Sequence, residues 1–595
     1  ESGTGTGKTF AYLVPALLSR KKLLISTGTK TLQDQLFLRD LPWVRDTLGV
    51  PVSAAMLKGR SNYLCLHRLE QIEPPPRQPR EQLAALHAIR EWAGRTRSGD
   101  IAELDSVPED SAWWPLATST SDNCLGGRCP KFDDCLVNRA RREALKSDIV
   151  VVNHYLFFAD LALREEGFGQ VLPGVDAVVF DEAHQLPEIA TQFFGVSVST
   201  RQLTQLARDV LAAETRERSS VDGLDTAAVT LERALIPLRA QAAAARRPLH
   251  ELDAATTQTL ADIEGDLQLL SDALERAAGA GAELEQCARR ASGLLDRWCQ
   301  IREAAHGAQL AWCEATPHNF SIHLTPLDVA QPFQQYIAQY RKSWIFTSAT
   351  LAVGASFAHF QERLGLHDAD TAKWDSPFDY ARQALLYLPP ALPLPSAPEY
   401  TRAVVECALP VLSASGGRAF LLFTSHKALQ QAAALLRERI AYPLLVQGEA
   451  PRAELLARFR ALGNAVLLGS ASFWEGVDVR GEALSCVIID KLPFAAPDDP
   501  LLQARGAALT AEGRNAFVEQ QLPEAVIALK QGVGRLIRDS DDRGVLVLCD
   551  PRLLSKGYGK VFLASLPPMP RTQKLADVNA FFRVAGASDV NLVEA

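Results

Sequence analysis

Ser2-Gly3-Thr4-Gly5-Thr6-Gly7-Lys8-Thr9 decides the class of fold. Glycines at alternate positions let backbone N–H groups close round a phosphate, and the following helix turns its positive N-terminus toward it. Gly3, Thr4, Gly5, Thr6 and Gly7 would form the cradle, Lys8 would reach the β- and γ-phosphates, and Thr9 would hold Mg²⁺. Ser2 stands where the pattern usually begins with glycine. Read alone, the same residues also suit a Gly/Thr-rich turn before a helix. A loop of this kind normally follows a strand. None precedes it and the sequence does not begin with Met, so it reads as a fragment lacking an upstream segment.

Working outward, Phe10–Leu18 reads as an apolar helix, Lys21–Ser26 as a strand and Thr31–Leu38 as a helix. Further strands are expected at Asp148–Asn153, Ala177–Phe180 and Trp344–Thr347. Continuous apolar runs alternating with helices predict a doubly wound parallel sheet covered on both faces. The run Val178-Val179-Phe180 leads straight into Asp181-Glu182-Ala183-His184. A strand that delivers two carboxylates at its C-terminal end places them in the crevice where such sheets bind ligands. Asp181 would hold Mg²⁺, Glu182 would orient and activate a water, and His184 could link the site to another surface. The bland reading is an acidic helix N-terminus favoured by the helix dipole.

The chain has 595 residues, enough for three or four domains, with 47% hydrophobic and 22% charged residues, as in ordinary globular proteins. A net charge of −8 excludes a basic field over the whole surface, so any nucleic-acid site is a local groove. No apolar run is long enough to span a membrane, and no signal peptide opens the sequence; a cytoplasmic protein is expected. Cys65, Cys124, Cys129 and Cys135 give a long gap, then C-x4-C, then C-x5-C. Four such thiols suit a [4Fe–4S] cluster, a structural zinc, or unrelated reduced cysteines. Lys58, Arg60 and Arg68 precede this insertion, Arg139, Arg141, Arg142 and Lys146 follow it, and Tyr63 and Phe132 lie among them. Charge interleaved with rings suits a single-strand groove, and equally a solvated helix face.

From about 200 to 310 the composition turns to Ala, Leu, Arg, Glu and Gln with leucines at helical spacing, which predicts several amphipathic helices and little local chemistry. Thr347-Ser348-Ala349-Thr350 ends a strand with hydroxyl residues suited to a hinge, and a proline-rich linker is expected around 370–400. A second α/β domain follows, with strands at Ala419–Thr424, Leu444–Gln447, Val466–Gly469, Cys486–Asp490 and Val545–Cys549 and a helix at Lys427–Glu438. It has no phosphate loop. It carries Gln531-Gly532-Val533-Gly534-Arg535-Leu536-Ile537-Arg538, in which Gln531, Arg535 and Arg538 would share one helix face and present arginine fingers to the phosphates. Glu475-Gly476-Val477-Asp478 could connect nucleotide and nucleic acid, with Asp478 on the nucleotide side.

Taken together, the segments 5–9, 26–33, 181–184, 347–351, 473–478 and 531–538 come in the order of superfamily 2 helicases, and with the four cysteines the chain resembles the iron–sulfur XPD/DinG branch. The runs 58–65 and 488–494 look most like the bacterial YoaA/DinG type. The resemblance implies two RecA-like motor domains, an iron–sulfur domain and a helical arch domain both inserted in the first. The expected bounds are 1–59, 137–199 and 326–370 for motor domain 1, 60–136 for the iron–sulfur domain, 200–325 for the arch and 371–595 for motor domain 2. It further implies an ATP-dependent DNA helicase translocating 5′→3′ on single-stranded DNA and opening forked or structured duplexes in DNA repair or damage tolerance. Its cofactors would be ATP, Mg²⁺ and a [4Fe–4S] cluster on Cys65, Cys124, Cys129 and Cys135. Lys8, Thr9, Asp181, Glu182, Gln531, Arg535 and Arg538 would be the ATPase residues. Thr27, Lys30, Thr424 and Ser425 fall in motifs that touch the DNA backbone. A nucleoid-associated monomer is expected, with replication or repair proteins as partners and no membrane. The missing upstream segment would carry adenine recognition.

Overall fold

The computed structural model describes all residues except 75–78, 166–171, 241–244, 305–306, 318, 341, 475–480 and 589–595. Its first sheet has five parallel strands, in the order Ala54–Met56, Ile149–Asn153, Leu23–Thr27, Ala177–Asp181 and Ser343–Thr347. The inner strands are buried along almost their whole length, which is why their sequences are unbroken apolar runs. Ser343–Thr347 is an edge strand and stays partly exposed. Helix Lys8–Ser19 packs with helix Leu41–Leu48 on one face, where Leu13, Leu17, Leu36 and Val44 meet Ile25 and Val179. Phe158, Phe180, Leu186 and Phe333 fill the other face.

The second sheet has seven parallel strands, in the order Leu444–Val446, Val466–Gly469, Ala419–Leu422, Cys486–Ile489, Gly544–Leu548, Ala384–Tyr387 and Arg571–Thr572. The strand Ala384–Tyr387 lies inside the stretch expected to be linker. Its four residues are buried between Gly544–Leu548 and Arg571–Thr572, and the proline run begins only after it. Separate cores on the two faces of this sheet make it a second doubly wound domain.

Two units interrupt the first domain. Residues 64–136 form a small lobe with its own core, built on Leu86, Ile89, Trp92, Trp113 and Trp114. The second unit carries the expected helices, Thr200–Glu217, Leu224–Ala234, Ala254–Ala277 and Ala282–Glu303. It also carries an antiparallel sheet that the helical reading did not include, in the order Val196–Ser199, Asn319–Pro326, Gln309–Thr316 and Ala245–Pro248. Val198, Ile322 and Leu324 of that sheet share one core with Leu206, Leu267 and Trp298 of the helices. The two inserted units touch. Glu283 accepts from Gln71 Nε2 at 2.6 Å, Gln286 Nε2 donates to the Asp122 carbonyl at 2.7 Å, and Arg128 pairs with Glu285. Among the described residues, no helix is long and apolar enough to cross a membrane.

Candidate functional site

The glycine loop is held at its start and within itself. Ser2 N–H donates to the Ser348 carbonyl (3.3 Å), and the Ser2 hydroxyl donates to Thr6 Oγ1 (2.8 Å). Serine at the first motif position is therefore accommodated by a hydrogen bond inside the loop. Gly5 sits at φ 74°, and a Cβ there would lie 2.4 Å from the Arg538 carbonyl oxygen and 2.9 Å from the Phe378 ring. The second domain thus presses directly on the loop, and Thr4 Oγ1 donates to the Gly534 carbonyl at 3.1 Å. Lys8 Nζ donates to the loop's own carbonyls, Ser2 at 3.2 Å and Gly3 at 3.3 Å, a position from which it points across the cradle.

Asp181 ends its strand beside this loop, and Tyr12, one turn along the helix from Lys8, donates to Asp181 Oδ2 at 3.3 Å. Glu182 adopts φ 55°, a left-handed turn that points its side chain away from the strand. Ser348 Oγ donates to Glu182 Oε2 (3.1 Å) and lies 2.8 Å from His184 Nδ1, so the hydroxyl motif joins both carboxylate and imidazole. Burial and the adjacent Glu182 charge push the Asp181 carboxyl well above the usual carboxylate range. Burial acts on Glu182 in the same sense, but hydrogen bonds from His184 and Ser348 and the charge of Lys8 hold it below that range.

Across the cleft, Gln531 Nε2 reaches Thr350 Oγ1 (3.4 Å) from helix Leu522–Val533. The helix ends there, which corrects the expectation of one face carrying all three residues. Two glycines in four residues weaken the helix, and Leu536 and Ile537 turn into the core at 2% and 1% exposure. Arg535 lies in the turn, donating through Nε (2.9 Å) and Nη2 (2.6 Å) to the Trp474 carbonyl. Arg538 lies beyond it, with its own N–H donating to Asp542 Oδ2 (2.8 Å) and its carbonyl against Gly5. Asp478 and its neighbours lie outside the described residues.

The sequence did not point to Glu1, whose carboxylate accepts from the N–H groups of Leu351 and Ala352, both at 2.6 Å, and pairs with Lys530 at 2.9 Å. These contacts come from two segments more than 300 residues away, so no local pattern could mark it. Tyr12 did carry a signal, the helical spacing from Lys8.

The nucleic-acid residues divide. Lys30 is exposed at the first turn of its helix, which Thr29 caps through Leu32 N (3.2 Å). Thr27 is fully buried and its hydroxyl donates to the Thr29 carbonyl, so the exposed end of that motif is 29–30. Gly28 lies against Gln185, whose Oε1 stands 2.3 Å from where a Cβ would be. Thr424 N–H donates to Asp490 Oδ1 (3.1 Å), and Ser425 caps the helix His426–Leu436. Lys58 does not face a groove. Its side chain is 4% exposed, with Nζ 2.8 Å from Asp34 and 2.7 Å from Asp100. Tyr63 is buried as well, its hydroxyl accepting from Lys58 N–H. Arg60 Nη1 donates to Cys124 Sγ at 2.9 Å and so turns toward the cysteines.

Cys65 and Cys135 sit at the N-caps of helices Leu66–Glu70 and Leu136–Lys146. Gly126 N–H donates to Cys124 Sγ at 3.4 Å. Burial raises the Cys65 thiol, and the charges of Cys124 and Cys129 raise it further; burial and then Cys124 and Cys135 do the same for Cys129. Backbone N–H and guanidinium donors reach Cys124 Sγ, the kind of donor a bound thiolate accepts from. Among the described residues, no three Cys, His, Asp or Glu side chains stand at metal-ligating distance.

Two parallel-sheet domains, with a phosphate loop and acidic strand end on one and a glutamine–arginine segment on the other, define a nucleotide-driven motor of the helicase class. The helicase C-terminal domain family matches residues 408–569. The chain is 47% identical over 589 residues to the ATP-dependent DNA helicase YoaA of Escherichia coli (strain K12), covering 98% of this chain and 93% of that one. It is 33% identical over 629 residues to the ATP-dependent helicase DinG of Mycobacterium tuberculosis (strain ATCC 25618 / H37Rv), covering 99% and 92%. A solved XPD helicase shares the fold, with a TM-score of 0.57 at 17% identity over 96% of this chain and 95% of that one. The chain belongs to the YoaA/DinG family of ATP-dependent DNA helicases.

Proposed function

We propose that the chain is an ATP-driven motor that moves 5′→3′ along single-stranded DNA and separates forked or structured duplexes, in DNA repair or damage tolerance. The observation that carries this is the convergence of Lys8, Asp181, Glu182, Ser348, Thr350 and Gln531 on one cleft between two domains. A cleft with phosphate groups on one side and Gln531 and Arg535 on the other is complete only when closed.

Lys8 leaves the Ser2 and Gly3 carbonyls to meet the phosphates, and the glycine loop supplies backbone donors. Thr9 and Asp181 would hold Mg²⁺, which when bound neutralises charge on the phosphates. Glu182, whose Oε2 accepts from Ser348 Oγ, orients and activates the attacking water. Arg535 leaves the Trp474 carbonyl to stabilise the charge that develops. Lys30, Thr424 and Ser425, on both domains, take the DNA backbone, contacts that carry no sequence information and so suit translocation. Cys65, Cys124, Cys129 and Cys135 would hold a [4Fe–4S] cluster, which when bound cross-links the small lobe into a rigid wedge.

The test uses anaerobically purified protein on duplexes with a 5′ or a 3′ single-stranded tail, with Lys8→Ala as control. Unwinding of the 5′-tailed duplex alone, lost in the control, is expected. DNA-stimulated hydrolysis with neither duplex opened would replace this reading by a translocase that remodels complexes without separating strands.

A further inference from the structure

Behind the nucleotide residues, a cleft of about 680 Å³ runs between the two motor domains. His184 and Gln531 line one part of it, and Gly28, Thr29 and Lys30 another. Its wall holds an alternating chain of charge that no motif marks. Arg363, on helix Ala358–Leu364, donates through Nη2 to Glu188 (2.7 Å) and through Nη1 to Glu524 (2.5 Å). Arg505 donates through Nη2 to Thr191 (2.8 Å) and through Nε to the Leu327 carbonyl (3.0 Å), and its Nη1 lies 3.5 Å from Glu188.

The positions matter more than the count. Glu188 stands in the first turn of helix Leu186–Phe193, which follows the Asp-Glu-Ala-His strand end. Glu524 is seven residues before Gln531 on helix Leu522–Val533, two turns along the same face. Arg363 lies on the helix that follows Thr347–Thr350. One guanidinium therefore joins the element behind Glu182 to the element that carries Gln531. Planar bidentate geometry is what arginine supplies and lysine does not. The same helix adds Glu362, 3.1 Å from Arg514 of the second domain, and His359, whose Nδ1 lies 3.1 Å from the Glu519 carbonyl. Burial lowers His359 to about 4, so it packs as a neutral ring and does not add charge to the chain.

We propose that Arg363 is a positioning residue of the ATPase, locking Glu188 of the first motor domain to Glu524 of the second so that closure of the cleft sets Gln531 against the hydrolysis site. The inference rests on the motor reading above. Arg363 and Glu524 are half-buried and Glu188 is exposed, so these pairs add little net stability and contribute mainly by fixing one arrangement across the interface. Their loss should therefore fall on turnover in the closed state rather than on nucleotide binding.

The experiment measures steady-state ATP hydrolysis of the cluster-loaded full chain, with and without single-stranded DNA, for Arg363→Gln, Glu524→Gln and the double variant. Each single variant should lower DNA-stimulated kcat about tenfold while KM for ATP changes by less than about threefold, and the double should match either single, because both remove one link. Arg363→Lys, which keeps the charge but not the bridge, should recover little. Effects that multiply to about a hundredfold in the double variant, or an Arg363→Gln enzyme within about twofold of the parent, would overturn the proposal. If Arg363→Gln fails to fold, Glu524→Gln decides alone, and unchanged DNA stimulation there would also overturn it. Lys8→Ala separates the two readings: full hydrolysis in that variant refutes the motor itself, whereas its loss alongside an unaltered Arg363→Gln refutes only the lock.

Discussion

Lys58→Met tests whether the basic residue before the first cysteine serves DNA or the fold. Its ammonium lies 2.8 Å from Asp34 and 2.7 Å from Asp100, with the side chain 4% exposed. Burial lowers the affinity of this amine for its proton, but the two carboxylates outweigh it and the net shift is upward, so the group is charged at all ordinary pH. Each contact contributes about 6 kcal/mol of attraction at an effective dielectric of 20. Desolvation of the ammonium takes back most of this, and removing one partner of a buried pair typically costs about 3–5 kcal/mol. Asp34 keeps a third of its surface in water, which places the expected loss nearer 2–4 kcal/mol.

Asp34 belongs to the helix that begins at Lys30, and Asp100 to the cysteine-bearing lobe. The loss should therefore appear as uncoupling of that lobe, read by urea unfolding through the fluorescence of Trp92, Trp113 and Trp114, which sit in its core. Replacing both carboxylates as well, Asp34→Asn with Asp100→Asn, should return at least half of the stability, because no charge is then left unpaired. The slope of log affinity for single-stranded DNA against log salt should stay unchanged. Unchanged stability with a slope reduced by about 0.7, the signature of one lost phosphate contact, would refute the reasoning and return Lys58 to the groove.

Gly5→Ala should lower ATP turnover at least tenfold, measured as kcat, because the left-handed turn costs about 1 kcal/mol and the added Cβ meets the backbone of Arg538 at 2.4 Å, so the loop and the second domain cannot close as they do here. Cys124→Ser should abolish bound iron and duplex unwinding yet leave basal ATP hydrolysis, since the Lys8 cleft shares no residue with the cysteine lobe; full unwinding by an iron-free variant would end the wedge role. Glu283 joins the helical unit to the lobe. Burial would raise its carboxyl, but His67, Arg216 and Gln71 lower it to about 2. A depressed carboxyl stabilises above its unfolded value, so the contact should be complete above about pH 4.5 and lost as pH falls toward about 2. Hydrogen exchange in helix Leu66–Glu70, which carries His67, would report this, and Glu283→Gln should remove the dependence on pH.

Much of the molecule is legible locally. Buried parallel strands need apolar side chains on both faces, so Ile149–Asn153, Ala177–Asp181 and Val466–Gly469 announce themselves as runs. A phosphate cradle needs glycine at left-handed positions, and Gly5 and Gly7 take φ 74° and 83°. Asp181 and Glu182 follow from their place at a strand end. These features are set by residues within a few positions of one another, and spacing is enough to find them.

What spacing could not decide depends on partners far along the chain. Arg535 and Arg538 have helical spacing but leave the helix, because Leu536 and Ile537 gain more from the core of the second sheet than a glycine-weakened helix returns. The strands Gln309–Thr316 and Asn319–Pro326 form a local hairpin, but Val196–Ser199 joins it only after the helical unit between them has folded back. A lysine beside an arginine reads as a basic patch until Asp34 and Asp100 close on it from opposite sides. Arg363 is one arginine among many in sequence, and it becomes a link between domains because folding brings Glu188 and Glu524 to its two nitrogens from positions 175 and 161 residues away. Chemistry that depends on a turn or a strand end is determined by the sequence alone. Burial, ion pairing and the contacts between the two motor domains exist only once the chain has folded.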